Sequence, residues 1–320
     1  MINPDNVQVS VEDQLEWLLA HKTATNQSWT QLAQVVGVPG GTLSAFGTGN
    51  YAGNKERIAL AIYRYRQTLD TQATREIGLV TSPGYFETRT SQRLNALLSV
   101  AHGGRMTLAA MSPGTGKTMT IQDYAANASN VWRISMRKSV KTVSAMTLLV
   151  LRSMGISPKS GAGSDQLSEL VIDRMKGSKG LLIVDEANHM TLDQFEESRS
   201  WHDESGCGIS YFGNEELMLR IESGRRSDSF ARLHSRLASS YVQTLPMKED
   251  VEAFCDAWQI ADIQMRDLLG RIALTPASGG LREIAQIVEQ ASMIAADENR
   301  SLSFADLREA KATRATRNIN

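Results

Sequence analysis

Residues 112–118 read Ser112-Pro113-Gly114-Thr115-Gly116-Lys117-Thr118, and they follow the apolar run Leu108-Ala109-Ala110-Met111. Glycines let a backbone turn so that successive N–H groups point to one side, an arrangement that holds a phosphate chain. An apolar strand before such a loop and a helix after it are the context that this motif requires. The sequence therefore predicts a phosphate-binding loop between a strand and a helix.

The side chains of this loop suit ATP together with Mg²⁺. Lys117 is placed to reach the β- and γ-phosphates, and the Thr118 hydroxyl is placed to hold Mg²⁺. Met111 stands where the full motif has its first glycine, a departure that concerns the geometry of the phosphates rather than their binding. The predicted nucleotide-binding residues are Ser112, Pro113, Gly114, Thr115, Gly116, Lys117, Thr118 and Met119, joined by Arg282 from a later helix.

An acidic pair follows the apolar run Leu181-Leu182-Ile183-Val184, which is typical of a central strand buried on both faces. Asp185 is predicted to bind Mg²⁺, and Glu186 is predicted to orient or deprotonate the attacking water. An isolated Asp-Glu pair at a strand end is common, but its position downstream of the phosphate-binding loop gives it this function. Because Glu186 is present, we expect turnover of ATP rather than a slow switch.

Three further positions complete the predicted hydrolytic site. Asn214 follows the strand 209–213 and is placed to bridge the γ-phosphate and the water, although such a residue is also common in turns and helix caps. Arg232 and Arg236 lie in the run 230–237 and are candidates for stabilising a neighbouring copy's γ-phosphate. Surface arginines on an amphipathic helix explain either one equally well.

The rest of the chain predicts an α/β fold between two helical regions. Strands are expected at 107–111, 131–135, 180–184, 209–213 and 241–244, with helices between them, which favours a parallel, doubly wound sheet. Residues 1–67 contain two short helices separated by a glycine-containing turn, a helix-turn-helix pattern. We therefore expect a helix-turn-helix domain at 1–67, a linker at 68–90, an ATPase core at 91–246 and a helical lid with a basic tail at 247–320.

Composition excludes several classes of protein. The chain has 320 residues, a formal net charge of −1 and 42% hydrophobic residues, so neither a polycationic binder nor a disordered chain is expected. Cys207 and Cys255 lie far apart and in no metal-ligand spacing. No signal peptide or membrane span is recognised, which predicts a cytoplasmic protein without a membrane partner.

The order of these motifs resembles that of the AAA+ ATPases over residues 91–312. Within that superfamily the chain resembles the Mu B family of phage transposition ATPases. The helix-turn-helix before the ATPase and the total length support this resemblance. The strings that carry it are Tyr85-Phe86-Glu87-Thr88, Asn130-Val131-Trp132, Asp185-Glu186-Ala187-Asn188-His189, Phe230–Arg236 and Asp256-Ala257-Trp258-Gln259-Ile260.

This resemblance implies a helical homo-oligomer that forms with ATP on double-stranded DNA with little sequence preference. The filament is expected to deliver target DNA to a DDE transposase and to stimulate strand transfer in a bacterial host cell. Hydrolysis would then remove the filament and produce target immunity. Lys117, Thr118, Asp185, Glu186 and Asn214 would act in the same subunit, whereas Arg236, and Arg232 beside it, would act on a neighbour's ATP.

Basic residues in loops are the candidates for DNA contacts, since lysine and arginine bind backbone phosphates. They are Arg133, Arg137, Lys138 and Lys141, expected immediately after the second strand, Lys159 in the loop 155–164, and Arg225 with Arg226. Solvated surface charge explains each of these as well. The second helix of the helix-turn-helix, residues 41–47, has no lysine or arginine, which favours auxiliary DNA or protein contacts over operator recognition.

Two other functions share these motifs. One is a nucleotide-gated transcription regulator in which the helix-turn-helix binds a specific operator. The other is a helicase loader or replication initiator. Operator-specific binding would select the first, and stimulation of a helicase would select the second.

Overall fold

The computed structural model describes residues 9–76, 82–224 and 228–315, which form two compact units, one over 9–76 and one over 82–315. The first unit contains four helices: α1 (Val11–Thr25), α2 (Trp29–Val36), α3 (Gly40–Gly47) and α4 (Lys55–Glu76). Leu18, Leu32, Leu43 and Ile62 meet in its core. Helix α4 continues to Glu76, past residue 67, where the helix-turn-helix domain was expected to end.

Local sequence explains the helix-turn-helix formed by α2 and α3. Ser28 caps α2 by accepting a hydrogen bond from the backbone N–H of Gln31, whose side chain accepts the Ser28 backbone N–H in return. Gly37 ends the helix in the left-handed conformation with φ of 79°. Phe46 then returns to the core from α3. The sequence prediction of two short helices around a glycine turn is confirmed.

The second unit is built on a five-stranded sheet in the order β2-β3-β4-β1-β5, with every pair of neighbours parallel. Parallel strands require crossover connections, which helices supply. The elements of this core are α5 (Arg89–His102), β1 (Met106–Met111), α6 (Lys117–Asn127), β2 (Val131–Ser135), α7 (Val143–Ser153), α8 (Ser164–Met175), β3 (Leu181–Asp185), α9 (Leu192–Ser205), β4 (Gly208–Gly213), α10 (Glu215–Gly224), α11 (Asp228–Arg236) and β5 (Leu237–Gln243).

Helices cover both faces of the sheet, which confirms the doubly wound α/β prediction. On one face, α5 and α6 contribute Leu94, Leu98 and Ile121 to a core with β1, β3 and β4. On the other face, helices α7 to α11 pack against the same strands through residues such as Phe195 and Trp201. Because β3 is enclosed on both sides, all five of its residues are buried.

The fifth strand begins at Leu237, earlier than the predicted start at residue 241. Its burial alternates between half-buried and exposed residues because β5 lies at the edge of the sheet. Ser239 and Ser240 interrupt the apolar run, so a search for apolar residues recognises only the end of this strand.

Four helices complete the second unit: α12 (Lys248–Ala257), α13 (Ile263–Ala273), α14 (Gly280–Asp297) and α15 (Phe304–Ala315). Phe254, Leu269, Ile284 and Leu307 form their common core, which is distinct from the cores beside the sheet. This is the predicted helical lid. Among the described residues, none of the helices combines the length and the apolar composition needed to cross a bilayer.

Candidate nucleotide-binding site

The predicted phosphate-binding loop connects β1 to α6. Gly114 and Gly116 have φ angles of 78° and 92°, a region that residues with a Cβ rarely adopt. The Ser112 N–H donates to the Gln243 carbonyl of β5 at 3.1 Å, and the Thr115 hydroxyl donates to the Ser112 carbonyl at 2.9 Å. One hydrogen bond therefore fixes the loop to the neighbouring strand β5, and the other stabilises the turn within the loop.

Met111 replaces the first glycine of the motif, and its conformation and packing show why the loop still forms. It is the last residue of β1 and keeps the strand conformation, so no positive φ is required. Its side chain is completely buried in the core with Leu98 and Ile121. A methionine fits here because its side chain packs in the apolar core beside the sheet.

Lys117 is the first residue of α6 and is only 9% exposed. Its Nζ donates to the Met111 carbonyl and to the Gly213 carbonyl, the latter at 3.2 Å. Burial lowers the pKa of the ammonium group, whereas the nearby carboxylates of Glu186 and Asp185 act in the opposite direction. The ammonium group of Lys117 is thus held between the ends of β1 and β4. At this position it can attract the negative charge of a bound phosphate.

Asp185 and Glu186 lie at the carboxyl end of β3. Asp185 is 7% exposed, and burial raises the pKa of its carboxyl group, although its Oδ1 accepts the Glu186 N–H at 2.9 Å. Glu186 has a φ of 53°, which is unfavourable for a residue with a side chain. Such backbone strain is concentrated at functional sites. A turn of 3-10 helix, Ala187–His189, follows.

Asn214 follows β4 at the same edge of the sheet, because the carboxyl ends of parallel strands lie together. Its N–H donates to the Asn188 Oδ1 at 3.3 Å, and its Nδ2 lies 3.4 Å from the Glu216 carboxylate. Its own Oδ1 is buried without a hydrogen-bond partner among the described residues. A buried acceptor without a donor is costly, so this atom is suited to a ligand or a bound water.

These residues surround one cavity of about 390 Å³. Of the predicted residues, Lys117, Thr118, Glu186, Asn214 and Arg282 line it, with Pro113, Gly114, Gly116 and Met119. Asp185 lies directly behind this lining, close enough to Lys117 to affect its pKa.

Part of the cavity wall was not recognised from the sequence. The segment 82–88, which was predicted as a linker, contributes Tyr85 and Phe86, and the lid contributes Phe254 and Trp258. Such a lining, which combines aromatic side chains with polar and charged ones, suits a nucleoside joined to phosphates. The Tyr85-Phe86 pair beside Gly84 was the available signal, since paired aromatic residues are unusual in a solvated linker.

The lid touches the phosphate-binding loop through backbone atoms. The Leu281 N–H donates to the Gly114 carbonyl at 2.9 Å. A Cβ on Gly114 would lie 1.7 Å from the Gly279 carbonyl oxygen, and one on Gly280 would lie 2.9 Å from the Gly114 oxygen. Glycines at 114 and 280 therefore allow this close approach. Arg282, next in α14, faces the cavity and opposes the charge of Lys117.

The predicted trans arginines lie away from this cavity. Arg236 ends α11, is about half exposed (49%), and its Nε lies 3.0 Å from the Asp203 carboxylate. Arg232 is exposed on the same helix. Neither lines the cavity of its own chain.

The DNA candidates occupy two regions of the described chain. Arg133 lies inside β2, rather than after it, and is near enough to Asp185 to act on its pKa. Exposed residues of the following loop are Arg137, Lys138 and Lys141. Lys159 is exposed between α7 and α8. Arg225 and Arg226 lie outside the described residues.

The residues present fit ATP with Mg²⁺. Lys117 and the turned backbone at Gly114 and Gly116 suit phosphate oxygens, whereas the unpaired Oδ1 of Asn214 can accept a hydrogen bond from a water. Thr118 and Asp185 offer the two oxygens with which a protein holds Mg²⁺ on a nucleotide, the other ligands being phosphates and water. Within the described ranges, no three His, Cys, Asp or Glu side chains converge into a metal site that would act without a nucleotide.

Comparison with known proteins agrees with this architecture. Residues 102–221 match the family model described as AAA domain, and residues 235–313 match the model described as Mu B transposition protein, C terminal. Among solved structures, Cdc6p from Pyrobaculum aerophilum shares the fold, with a TM-score of 0.57 and 16% identity over 75% of this chain and 72% of that chain. The Aeropyrum pernix ORC1 protein, solved in complex with DNA, shares it with a TM-score of 0.54, 16% identity and coverage of 75% and 69%.

Similar sequences come from transposing phages and a prophage. The Mu-like prophage FluMu DNA transposition protein B of Haemophilus influenzae is 32% identical over 84% of this chain and 93% of its own length. The ATP-dependent target DNA activator B of Escherichia phage Mu is 29% identical over 88% of this chain and 89% of its own length. With the loop, the acidic pair, the parallel sheet and the lid in the order described above, the chain belongs to the Mu B family of transposition proteins within the AAA+ ATPases.

Proposed function

We propose that this chain is an ATP-dependent DNA-binding ATPase that assembles on target DNA and activates it for a transposase. The observation that carries the proposal is the cavity that Lys117, Glu186, Asn214 and Arg282 line together. The target-DNA function is supported by the similarity of this chain to the ATP-dependent target DNA activator B proteins of two phages.

Within one subunit, each polar group of the cavity has a separate function in hydrolysis. Lys117 and the loop's N–H groups bind the phosphates, and Thr118 with Asp185 would hold Mg²⁺. Glu186 accepts the proton of the attacking water, and Asn214 orients that water through its unpaired Oδ1. Bound Mg²⁺ would stabilise the negative charge that develops on the phosphate oxygens.

Hydrolysis is completed by a neighbouring copy. Arg236 extends from the end of α11 and pairs with Asp203 across the surface, so its guanidinium can leave this pair at little cost. An arginine supplied to a phosphoryl group by a neighbour accelerates transfer by roughly 10³–10⁵. Arg232, exposed on the same helix, is the second candidate for this function. Nucleotide between adjacent copies would thereby link assembly to ATP.

Contacts with DNA are assigned to the basic loops. Arg137, Lys138 and Lys141 follow β2 at the edge of the sheet that carries the cavity, and Lys159 lies in the next loop. Lysine and arginine bind phosphates without reading bases, which suits a helical filament with little sequence preference. In the N-terminal unit, α3 offers no basic side chain, so we assign it an auxiliary function.

We place this activity in the cytoplasm of a bacterial host, where a DDE transposase would receive the coated DNA. Strand transfer into that DNA would be stimulated while ATP is bound. Hydrolysis would then dissolve the filament, so that occupied sites are avoided.

Electron microscopy of the protein with long duplex DNA tests this proposal. We expect regular decoration with ATP and Mg²⁺, bare DNA without nucleotide, and bare DNA with the Lys117→Ala variant. Decoration by Lys117→Ala in nucleotide-free buffer, equal to that of the parent, would refute nucleotide-dependent assembly. Nucleotide-independent binding to one specific sequence would instead indicate a helix-turn-helix regulator, and stimulation of a helicase alone would indicate a loader.

Salt dependence tests the DNA contacts separately. Substitution of Lys138 or Lys141 by alanine should reduce the slope of log affinity against log salt by about one for each lost phosphate contact. Lys176→Ala, an exposed lysine after α8, is the matched control and should leave the slope unchanged. Equal slopes for all three variants would remove this loop from the DNA interface.

A further inference from the structure

Arg220, on α10, contacts two other parts of the ATPase unit at once. Its two terminal nitrogens donate to the Asn188 carbonyl at 2.7 Å and to the Met190 carbonyl at 2.9 Å. Its guanidinium also lies over the Phe230 ring of α11, at 5.9 Å from the ring centroid. Arg220 does not line the nucleotide cavity.

The two carbonyls belong to the turn that begins at the proposed general base. The Glu186 carbonyl accepts the His189 N–H at 3.0 Å, which closes the 3-10 turn after the strained Glu186 backbone. The Asn188 side chain also accepts the backbone N–H of Asn214 at 3.3 Å. Arg220 therefore holds the turn that sets the positions of both Glu186 and Asn214.

The third contact lies on the helix that carries the proposed trans arginines. Phe230 packs edge-to-face on Phe195 at 5.8 Å between centroids, and it starts the run that ends at Arg236. A cation placed over an aromatic ring is attracted to it by the ring quadrupole. The orientation of α11 is therefore connected to the turn after Glu186 through one side chain.

We propose that Arg220 is a positioning residue that couples the hydrolytic turn of one subunit to the helix that this subunit offers to its neighbour. The inference rests on the proposed ATP hydrolysis and deepens it. A change in the turn when nucleotide is hydrolysed would move Phe230 and, with it, the arginines at the interface. The planar guanidinium is suited to this function because it donates in two directions and stacks on a ring at the same time.

Steady-state kinetics of Arg220→Gln test the first half of the proposal. We expect kcat for ATP hydrolysis to fall roughly 10- to 100-fold, as displacement of catalytic groups by about 1 Å commonly produces, while nucleotide affinity and binding stoichiometry stay unchanged. Arg220→Lys keeps the charge but replaces the planar fork with a single donor nitrogen, so it should recover part of the loss. Arg174→Gln is the matched control, since Arg174 also lies over an aromatic ring, that of Trp132, at 5.0 Å.

The outcomes separate this inference from the proposed function. An unchanged kcat in Arg220→Gln would overturn the positioning function. A loss of nucleotide binding together with kcat, equal in Arg220→Gln and Arg220→Lys, would reduce Arg220 to a structural residue and also overturn it. A parent protein without turnover in the presence of DNA would refute the proposed hydrolysis itself, and the inference would fall with it.

Mixed assemblies test the second half. Subunits with Arg236→Ala keep an intact cavity but lack the arginine, and Glu186→Gln subunits keep the arginine on α11 but lack the base. Turnover in a mixture therefore takes place in the cavities of the Arg236→Ala subunits. We expect Glu186→Gln subunits that also carry Arg220→Gln to restore this turnover about tenfold less well than Glu186→Gln alone. Equal restoration would show that α11 is positioned without Arg220.

Discussion

The nucleotide cavity and helix α11 both present basic side chains, but in opposite environments. Lys117 is 9% exposed and donates to two backbone carbonyls, whereas Arg236 is about half exposed and pairs with one carboxylate on the surface. Groups that bind phosphate within a subunit can be fixed in advance by its fold. A group that acts on a neighbour's phosphate must remain accessible until that neighbour arrives. The contrast predicts which substitutions affect one subunit and which affect only the assembly.

The largest effect is expected for Arg236→Ala. ATP turnover of the DNA-bound protein should fall by roughly 10³–10⁵, the range for an arginine that stabilises the transferred phosphoryl group. Nucleotide affinity of the isolated subunit should not change, because Arg236 is absent from the cavity lining. Turnover assays and nucleotide titrations of the same preparation measure the two quantities, and Arg174→Ala, an exposed arginine on α8 that lies over the Trp132 ring, serves as the control.

Glu186→Gln should lower kcat by roughly 10²–10⁴, since a general base contributes a factor of this size. Nucleotide binding and DNA decoration should persist, because the binding groups are intact. Mixing this variant with Arg236→Ala should recover turnover, as each supplies what the other lacks. Absence of recovery at any ratio would argue that the arginine and the base belong to the same subunit. Glu204→Gln, an exposed position on α9, is the matched control.

Gly280→Ala should weaken nucleotide binding about tenfold, a change equivalent to about 1.4 kcal/mol. The added Cβ would lie 2.9 Å from the Gly114 oxygen and 3.0 Å from the Pro246 side chain, so the lid must move away from the phosphate-binding loop. Gly177→Ala is the control, because its φ of 73° is similarly strained but nothing lies within 4 Å of the new atom. Both variants should lose stability in thermal melts, and only Gly280→Ala should lose affinity in a nucleotide titration.

The smallest expected effect is a change in the stability of Asp185→Asn, whose Tm should be higher than that of the parent. Burial raises the folded-state pKa of Asp185, so the folded state binds more protons than the unfolded state between the two pKa values. Stability therefore decreases as pH rises through that interval, and the ionised carboxylate remains unfavourable at neutral pH. Removing its charge should raise Tm by a few degrees, since about 1 kcal/mol corresponds to roughly 2–4 °C in a domain of this size.

Calorimetry of nucleotide-free Asp185→Asn at neutral pH and near pH 4 measures this effect. The gain should shrink at the acidic pH, where the parent carboxyl group is increasingly protonated. A Tm gain that is independent of pH would show that the charge is not its cause. Stabilisation by nucleotide should be smaller in the variant than in the parent. The variant lacks a carboxylate that would hold Mg²⁺, and a ligand that binds the folded state more weakly stabilises it less.

Much of the fold was predictable because its signals are local. The loop 112–118, the buried run before Asp185, and the helix-turn-helix around Gly37 depend on backbone turns and apolar periodicity within a few residues. These features suffice for the parallel sheet and for the groups expected at its carboxyl edge. The early start of β5 was missed because an edge strand with serines lacks the apolar run.

Other features of the site depend on contacts between distant residues. The wall formed by Tyr85, Phe86 and Trp258 joins segments far apart in sequence, and no local pattern predicts that they meet. Met111 is compatible with the phosphate-binding loop because its side chain packs in the core beside the sheet, and only the tertiary structure shows this packing. Arg220 shows the same dependence, because its carbonyl acceptors and its aromatic contact come from separate elements.

The sequence by itself therefore determined the fold class, the phosphate-binding loop and the acidic pair, since each depends on neighbours along the chain. The tertiary structure alone decided which side chains share the cavity, how closely Gly280 approaches Gly114, and what connects Glu186 to α11. The physical reason is that packing and hydrogen bonds act over a few ångströms in space, whatever the separation in sequence.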